Sequence, residues 1–340
     1  MNGEVKRLKD VGEFGFIKRI TPGCLVRKEG VFKAIGDDAA AFYSPPGQLN
    51  LVTTDLLVER VHFLREATSG YNLGYKALSV NLSDIAAMGG TAGEAFVSIA
   101  IPEDCGLDYL DDLYRGMRTL AAEFRVNILG GDTTCSKQDL IINIAVHGSV
   151  NKDEILCRDG AGPGDLICST GCLGDSRAGL HLILNDITAD SEELKKLFRA
   201  HVLPRPCLKE GRFLAGMSRV TSAIDVSDGL SSDLGHLVSQ SGTGARIYSD
   251  RIPVSPELEI FCEQFGFDPA EFALAGGEDY TLLFTVPAED ISDLEQRYRA
   301  EFGSGIRVLG EMTDTGELEL VAGDGKTRPL ARSGWNHFRK

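Results

Sequence analysis

No apolar run in this chain approaches the ~20 residues a helix needs to cross a bilayer. The first twelve residues, Met1 to Gly12, are polar and charged and lack the apolar stretch of a secretory signal. Both absences predict a cytoplasmic protein. Positive charge is also scarce: 35 Lys and Arg stand against 50 Asp and Glu, a formal net charge of −15. Such a surface repels nucleic-acid backbone and anionic lipid, so neither nucleic acid nor membrane is an expected partner. The eight cysteines include no Cys-x-x-Cys pair, and the six histidines are scattered. A zinc site is therefore not expected, and the thiols read as buried or inert in a reducing compartment. No G-x-G-x-x-G follows a predicted strand, which argues against a dinucleotide fold. Gly325-Lys326-Thr327 resembles the end of a P-loop. The position that needs the first glycine is Leu320, however, and Pro329 opposes the helix that should follow. A hairpin turn is the better reading. The protein-kinase motifs are missing too.

A chain of 340 residues fits two domains, each long enough to bury a core. Its 43% hydrophobic and 25% charged content is ordinary for a globular protein. A helix is expected over 13–20. Strands are expected over 49–54, 94–101, 126–129 and 140–150, alternating with helices over 71–88 and 107–124. That alternation predicts an α/β (α+β) N-terminal domain at residues 1–150. The turn-rich stretch 159–165 marks the boundary. A C-terminal α/β domain is expected over 151–340. Its strands fall at 166–169, 223–226, 280–286, 306–309, 318–321 and 328–330, with helices at 176–184, 192–200, 208–217, 231–239 and 291–302.

What the chain has in abundance is aspartate beside small residues. The clusters are Gly36-Asp37-Asp38, Thr53-Thr54-Asp55, Gly130-Gly131-Asp132, Asp225-Val226-Ser227-Asp228-Gly229 and Gly276-Gly277-Glu278-Asp279. Mg²⁺ takes oxygen ligands and usually shares its shell with water and substrate phosphates, so this pattern suits a magnesium-dependent, phosphate-handling protein. Each cluster alone also fits a plain turn or a helix cap. Three features go further. Alternate strand residues share a face, so Thr53 and Asp55 could grip one ion. Asp84 sits at helical spacing beside the apolar stripe of Leu78, Leu82 and Ile85, where a carboxylate is costly unless paired or metal-bound. Asp225 and Asp228 flank Ser227 before a helix, where backbone N–H groups favour anions.

In order along the chain, these motifs resemble the thiamine-monophosphate kinases, within the aminoimidazole ribonucleotide synthetase-like ATP-binding superfamily. The resemblance rests on Ile35 to Asp38, Thr53-Thr54-Asp55 with His62-Phe63, the run Lys76 to Gly89, Leu129 to Thr134, Asp225 to Leu230, Gly276 to Tyr280 and the closing Gly334-Trp335-Asn336-His337-Phe338. It implies Mg²⁺-dependent transfer of the ATP γ-phosphoryl group to thiamine monophosphate. It also implies several Mg²⁺ ions, held by Asp38, Thr53, Thr54, Asp55, Asp84, Asp132, Asp225 and Asp228. Asp55 and Asp132 would matter most. ATP contacts would come from Tyr114, Gly131, Asp132, Arg158 and Ser227, and thiamine contacts from His62, Glu278 and Trp335. The family's fold implies a homodimer in which two N-terminal sheets form a barrel. The acceptor is itself a phosphate, so no catalytic base is expected. The alternatives are another ATP-dependent member of the superfamily, aminoimidazole ribonucleotide synthetase-like or selenophosphate synthetase-like, or a non-catalytic nucleotide-binding protein. A selenophosphate synthetase is disfavoured because no reactive Cys or Lys lies in a Gly-rich N-terminal segment.

Overall fold

The structure is a computed structural model that describes residues 15–33 and 41–331. Asp38 and Trp335, both expected at the site, lie outside the described residues. The chain divides into two compact units: one up to Ile85 together with Thr91–Lys152, the other made of Ala86–Gly90 and Asp153 onward.

The first unit is built on four strands, β3 (Gln48–Val58), β4 (Thr91–Pro102), β5 (Asn127–Ser136) and β6 (Ile141–Asn151). A short hairpin, β1 (Val31–Lys33) with β2 (Ala41–Phe42), precedes them. Across the sheet the order is β3-β6-β4-β5, with β4 and β5 parallel and the other neighbours antiparallel. The sequence reason is a period of two: in β6 every second residue from Ile142 to Val150 is buried. Helix α1 (Gly70–Ala87) supplies Leu78, Leu82 and Ile85 to the core, the stripe expected from their spacing. Helix α2 (Leu107–Phe124) adds Leu110, Leu113, Met117 and Leu120. Glycine lets these two helices touch backbone to backbone: a Cβ at Gly74 would lie 1.8 Å from the Leu113 carbonyl oxygen, and one at Gly116 would lie 2.0 Å from that of Tyr71.

Two boundaries differ from expectation. The strand expected to end at Thr53-Thr54-Asp55 continues to Val58, because its pairing with β6 runs on past Asp55 opposite Ile144. Gly130-Gly131-Asp132 is likewise not a turn after a strand. It lies inside β5, paired with Phe96, Val97 and Ser98.

The second unit holds a seven-stranded mixed sheet among the described residues. Its strands are β7 (Asp165–Ser169), β8 (Ser222–Asp225), β9 (Gly244–Tyr248), β10 (Leu282–Pro287), β11 (Arg307–Thr313), β12 (Leu318–Val321) and β13 (Thr327–Pro329). Their order is β13-β12-β9-β11-β7-β10-β8. Helices α3 (Asp175–Leu184), α4 (Glu192–Val202), α5 (Leu208–Gly216), α6 (Leu230–Ser241), α7 (Pro256–Phe265), α8 (Pro269–Ala275) and α9 (Ile291–Phe302) accompany it. Ile224, Leu230, Leu234, Ile247, Leu283 and Leu309 share one core. The Gly325-Lys326-Thr327 segment is the expected hairpin turn, with the Ala322 N–H donating to the Lys326 carbonyl between antiparallel β12 and β13. Strand β9 and helices α7 and α8 were not expected. Strand β10 begins two residues later than expected, because Tyr280 has φ 52° and cannot be strand.

All eight cysteines are unpaired. Burial pushes most of their thiols up, Cys262 to about 11 and Cys207 to about 12. The exposed Cys135 departs from the expected burial.

Candidate active site

In the first unit the strand period puts Thr53 and Asp55 on one face of β3 and Thr54 on the other. The α1 side chain that meets the first pair is Asp84. Thr53 Oγ1 donates to Asp84 Oδ2. Burial, and then the charge of Asp84, push the Asp55 carboxyl up to about 7. Two carboxylates and a hydroxyl thus converge in a partly desolvated corner, where a cation would relieve the repulsion.

The corner is held by a residue absent from the expected set. Asn81 is 0% exposed. Its Oδ1 accepts the Asp55 backbone N–H at 3.1 Å, and its Nδ2 donates to the Ala77 carbonyl at 3.1 Å. Asn81 therefore pins β3 to α1 one helical turn before Asp84. Thr54 does not join this corner. It accepts from Asn143 Nδ2 at 2.9 Å, and the same amide donates to the Asp55 carbonyl at 3.1 Å.

Sheet register separates Asp132 from the corner. Asp55 lies in a cross-strand row with Ile144, Val97 and Gly131, whereas Asp132 lies in the next row, with Ser98, Asn143 and Leu56. Directly opposed residues share a face, so Asp132 takes a position on the face opposite Asp55. Three strand spacings, about 14 Å, also lie between β3 and β5. Asp132 is exposed, and its Oδ1 accepts the Thr133 N–H at 2.9 Å. Gly131 has φ 150°, and a Cβ there would fall 1.8 Å from the Val97 carbonyl oxygen. Close packing of the parallel pair thus requires this glycine. The Val58 N–H donates to His62 Nδ1 at 3.0 Å, which fixes the neutral ring with its proton on Nε2.

Tyr114 is only 3% exposed, its ring edge-on to Phe16 at 5.9 Å. Burial raises its phenol pKa well above the ordinary range. The ring packs on the buried face of α2. Arg158 is exposed.

In the second unit Asp225 ends β8, buried at its edge of the sheet. Ser227 and Asp228 follow, half-buried, before α6. Two α6 side chains that the sequence reading missed complete this turn. Asp233 Oδ2 accepts the backbone N–H of Asp228 at 3.1 Å and of Gly229 at 3.0 Å. Burial first, then the charges of Asp225 and Asp228, push the Asp233 carboxyl up to about 8. Ligand atoms of Asp228, Asp233 and His236 lie within 4.8 Å of one another. The available signal was helical spacing, since 233 and 236 are three apart and share a face.

The Gly276 to Tyr280 loop is bonded to that turn through main-chain atoms. The Glu278 N–H donates to the Ser227 carbonyl at 2.8 Å, the Tyr280 N–H to the Val226 carbonyl at 2.9 Å, and the Val226 N–H to the Thr281 carbonyl at 2.8 Å. Gly277 is required here, because a Cβ would lie 2.5 Å from the Ser227 carbonyl oxygen. Glu278 itself has φ 63°, a left-handed conformation that costs a non-glycine residue about 1 kcal/mol or more. Its neighbour Asp279 serves the fold instead. It accepts the Gly174 N–H at 2.7 Å and the Ser176 N–H at 3.2 Å, capping α3. Burial nevertheless pushes Asp279 up to about 8.

Each half of this architecture matches a known family model. Residues 36–150 match the AIR synthase related protein N-terminal domain, and residues 162–323 match the C-terminal domain of the same family. The fold and its two carboxylate sites thus define an AIR synthase-related protein. Over 335 residues the chain is 36% identical to the thiamine-monophosphate kinase of Aquifex aeolicus (strain VF5), covering 98% of this chain and all of that one. It is also 36% identical over 328 residues to the Escherichia coli (strain K12) thiamine-monophosphate kinase, covering 96% and 98%. The chain belongs to the thiamine-monophosphate kinase family. Among solved structures, the thiamine-monophosphate kinase from Stenotrophomonas maltophilia K279a superposes with a TM-score of 0.82 at 31% identity, covering 94% of this chain and 98% of that one. The complex of AaThiL with AMPPCP and TMP gives 0.78 at 34%, covering 99% and 100%.

Proposed function

We propose that this protein transfers the γ-phosphoryl group of ATP to thiamine monophosphate, giving thiamine diphosphate and ADP without a covalent enzyme intermediate. The observation that carries the site chemistry is the meeting of Thr53, Asp55 and Asp84 in one desolvated corner. These are oxygen donors only, and they fit a hard cation such as Mg²⁺. Asp132 on β5, and Asp225 with Asp228 in the second unit, offer further carboxylates for additional ions. Bound Mg²⁺ supplies charge neutralisation between two polyanions, whose unit charges ~4 Å apart repel by roughly 4 kcal/mol at an effective dielectric of about 20.

The chain's own residues bind and orient. The exposed Arg158 and the Ser227 hydroxyl are assigned to ATP. Glu278 and the Nε2–H of His62 are assigned to the thiamine portion. The acceptor oxygen is already ionised at neutral pH, so no side chain need remove a proton from it. The N-terminal unit would hold ATP and metal, and the C-terminal unit would complete the site. We further assign a homodimer that pairs N-terminal sheets into a barrel. Val52 and Leu56, 74% and 52% exposed on β3, support it, since apolar strand residues standing in solvent suit an interface. Eight unpaired thiols suit a reducing cytoplasm.

The test is ADP release by purified protein. It should require both thiamine monophosphate and Mg²⁺, and Asp55→Asn should abolish it while leaving the circular dichroism spectrum unchanged. ADP release with formylglycinamidine ribonucleotide or selenide, and none with thiamine monophosphate, would overturn the assignment.

A further inference from the structure

Glu278 is gripped from its side chain as well as its backbone. His201, near the end of α4, is buried, with 7% of its side chain exposed against 30% for Glu278. His201 Nδ1 lies 3.3 Å from Glu278 Oε2 and 3.1 Å from the Ser176 hydroxyl in the first turn of α3. The Ser176 backbone N–H in turn donates to Asp279. Ser176, His201, Glu278 and Asp279 therefore form a closed ring that ties two helix ends to the loop. We propose that His201 is a positioning residue for substrate recognition: it holds one oxygen of Glu278 so that the other faces the ligand. This rests on the reading of Glu278 as a thiamine contact.

Three observations converge on that role. A glutamate side chain loses rotamer freedom when fixed, so an unheld carboxylate would bear that loss at binding. The left-handed backbone of Glu278 fixes only where the side chain starts. His201 itself is too buried to meet a ligand, so it acts through Glu278. A carboxylate repels the phosphate end of the substrate and accepts N–H groups. The ligand portion it selects is therefore the end away from the phosphate, one that carries hydrogen-bond donors.

The experiment compares steady-state kinetics of wild type, His201→Ala, His201→Asn and Glu278→Gln. His201→Ala should raise KM for thiamine monophosphate about tenfold, the scale of one hydrogen bond to a charged group. KM for ATP and kcat should stay within about twofold. His201→Asn can place an amide donor near the Nδ1 position and should recover most of the loss. A His201→Ala variant whose two KM values rise together, or whose only change is a lower Tm, overturns the proposal. So does an Asn variant no better than Ala. An unchanged KM for thiamine monophosphate in Glu278→Gln would instead remove the parent reading of Glu278, and the proposal with it.

Discussion

Asn81 shows how a neutral side chain can govern a charged site. It carries no charge, yet it sets where Asp55 lies relative to Asp84 by accepting the Asp55 N–H and donating to its own helix. Asn81→Ala should leave that buried N–H without a partner, which costs about 1–3 kcal/mol. The same change should raise the Mg²⁺ concentration needed for half-maximal activity severalfold. Urea unfolding and a Mg²⁺ titration check the two effects, and an unchanged Mg²⁺ requirement would show that β3 holds its place without Asn81. Asp279 gives a second prediction at this scale. Its folded pKa of about 8 lies above the ordinary 3.8. The folded state therefore keeps a proton that the unfolded chain releases. Its contribution to stability is full below about pH 4 and is lost as pH rises through about 8. The slope is up to about 1.4 kcal/mol per pH unit. Urea unfolding of metal-free protein at pH 5 and pH 8 should show this fall. Asp279→Asn should flatten it, at a cost of about 1 kcal/mol from the lost cap. Parallel slopes in the two proteins would sink the idea.

Elements explain what single residues could not announce. The apolar stripe of α1 and the strands of the first sheet were legible because burial imposes periods of 3.6 and 2 on the sequence. Thr53 with Asp55 on one strand face, and Asp84 beside the core stripe, were legible for the same reason, while only the motif likeness joined them in one site. Asp132 was not, because its place depends on strand order β3-β6-β4-β5 and on register, which no local pattern encodes. The burial of Tyr114 was open to view, as Leu110, Leu113 and Met117 share its helix face. Helices α7 and α8 carried signals that went unread: Ser255-Pro256 and Asp268-Pro269 each put a capping side chain before proline at the first helical position. The bond between the Val226 to Asp228 turn and the Gly276 to Tyr280 loop had no sequence signal except the glycines. It yields a prediction of its own. Gly277→Ala should cost about 1–3 kcal/mol and most of the activity, because the added methyl meets a carbonyl oxygen rather than a flexible side chain. Gly266→Ala has open space for its methyl, though a strained φ of 74°, and should leave activity intact. Full activity in Gly277→Ala, or an equal loss in Gly266→Ala, would show that the clash with the Ser227 carbonyl is not what the loss reports.

At the scale of the molecule, charge and exposed apolar surface pull in different directions. A net charge of −15 opposes association of like chains, and Val52 and Leu56 favour it. The proposed dimer should therefore tighten with added salt, since screening removes the repulsion and leaves the apolar contact. Val52→Lys with Leu56→Lys should give a monomer by light scattering at any salt concentration. A double variant that stays dimeric would place the interface elsewhere.

The main-chain bond between Ser227 and Glu278 joins positions about fifty residues apart. Everything between them, from α6 through α8, must be in place before that contact can close. The Gly276 to Tyr280 loop is thus assembled by long-range closure, whereas Asp225 and Asp228 stand on a local turn. A chain arrested before closure would carry its helices and the carboxylates of that turn, and would pass a far-ultraviolet test of folding. With Glu278 as the proposed thiamine contact, it would still have no ordered place for the acceptor. For this protein, foldedness is better judged by substrate binding than by helix content.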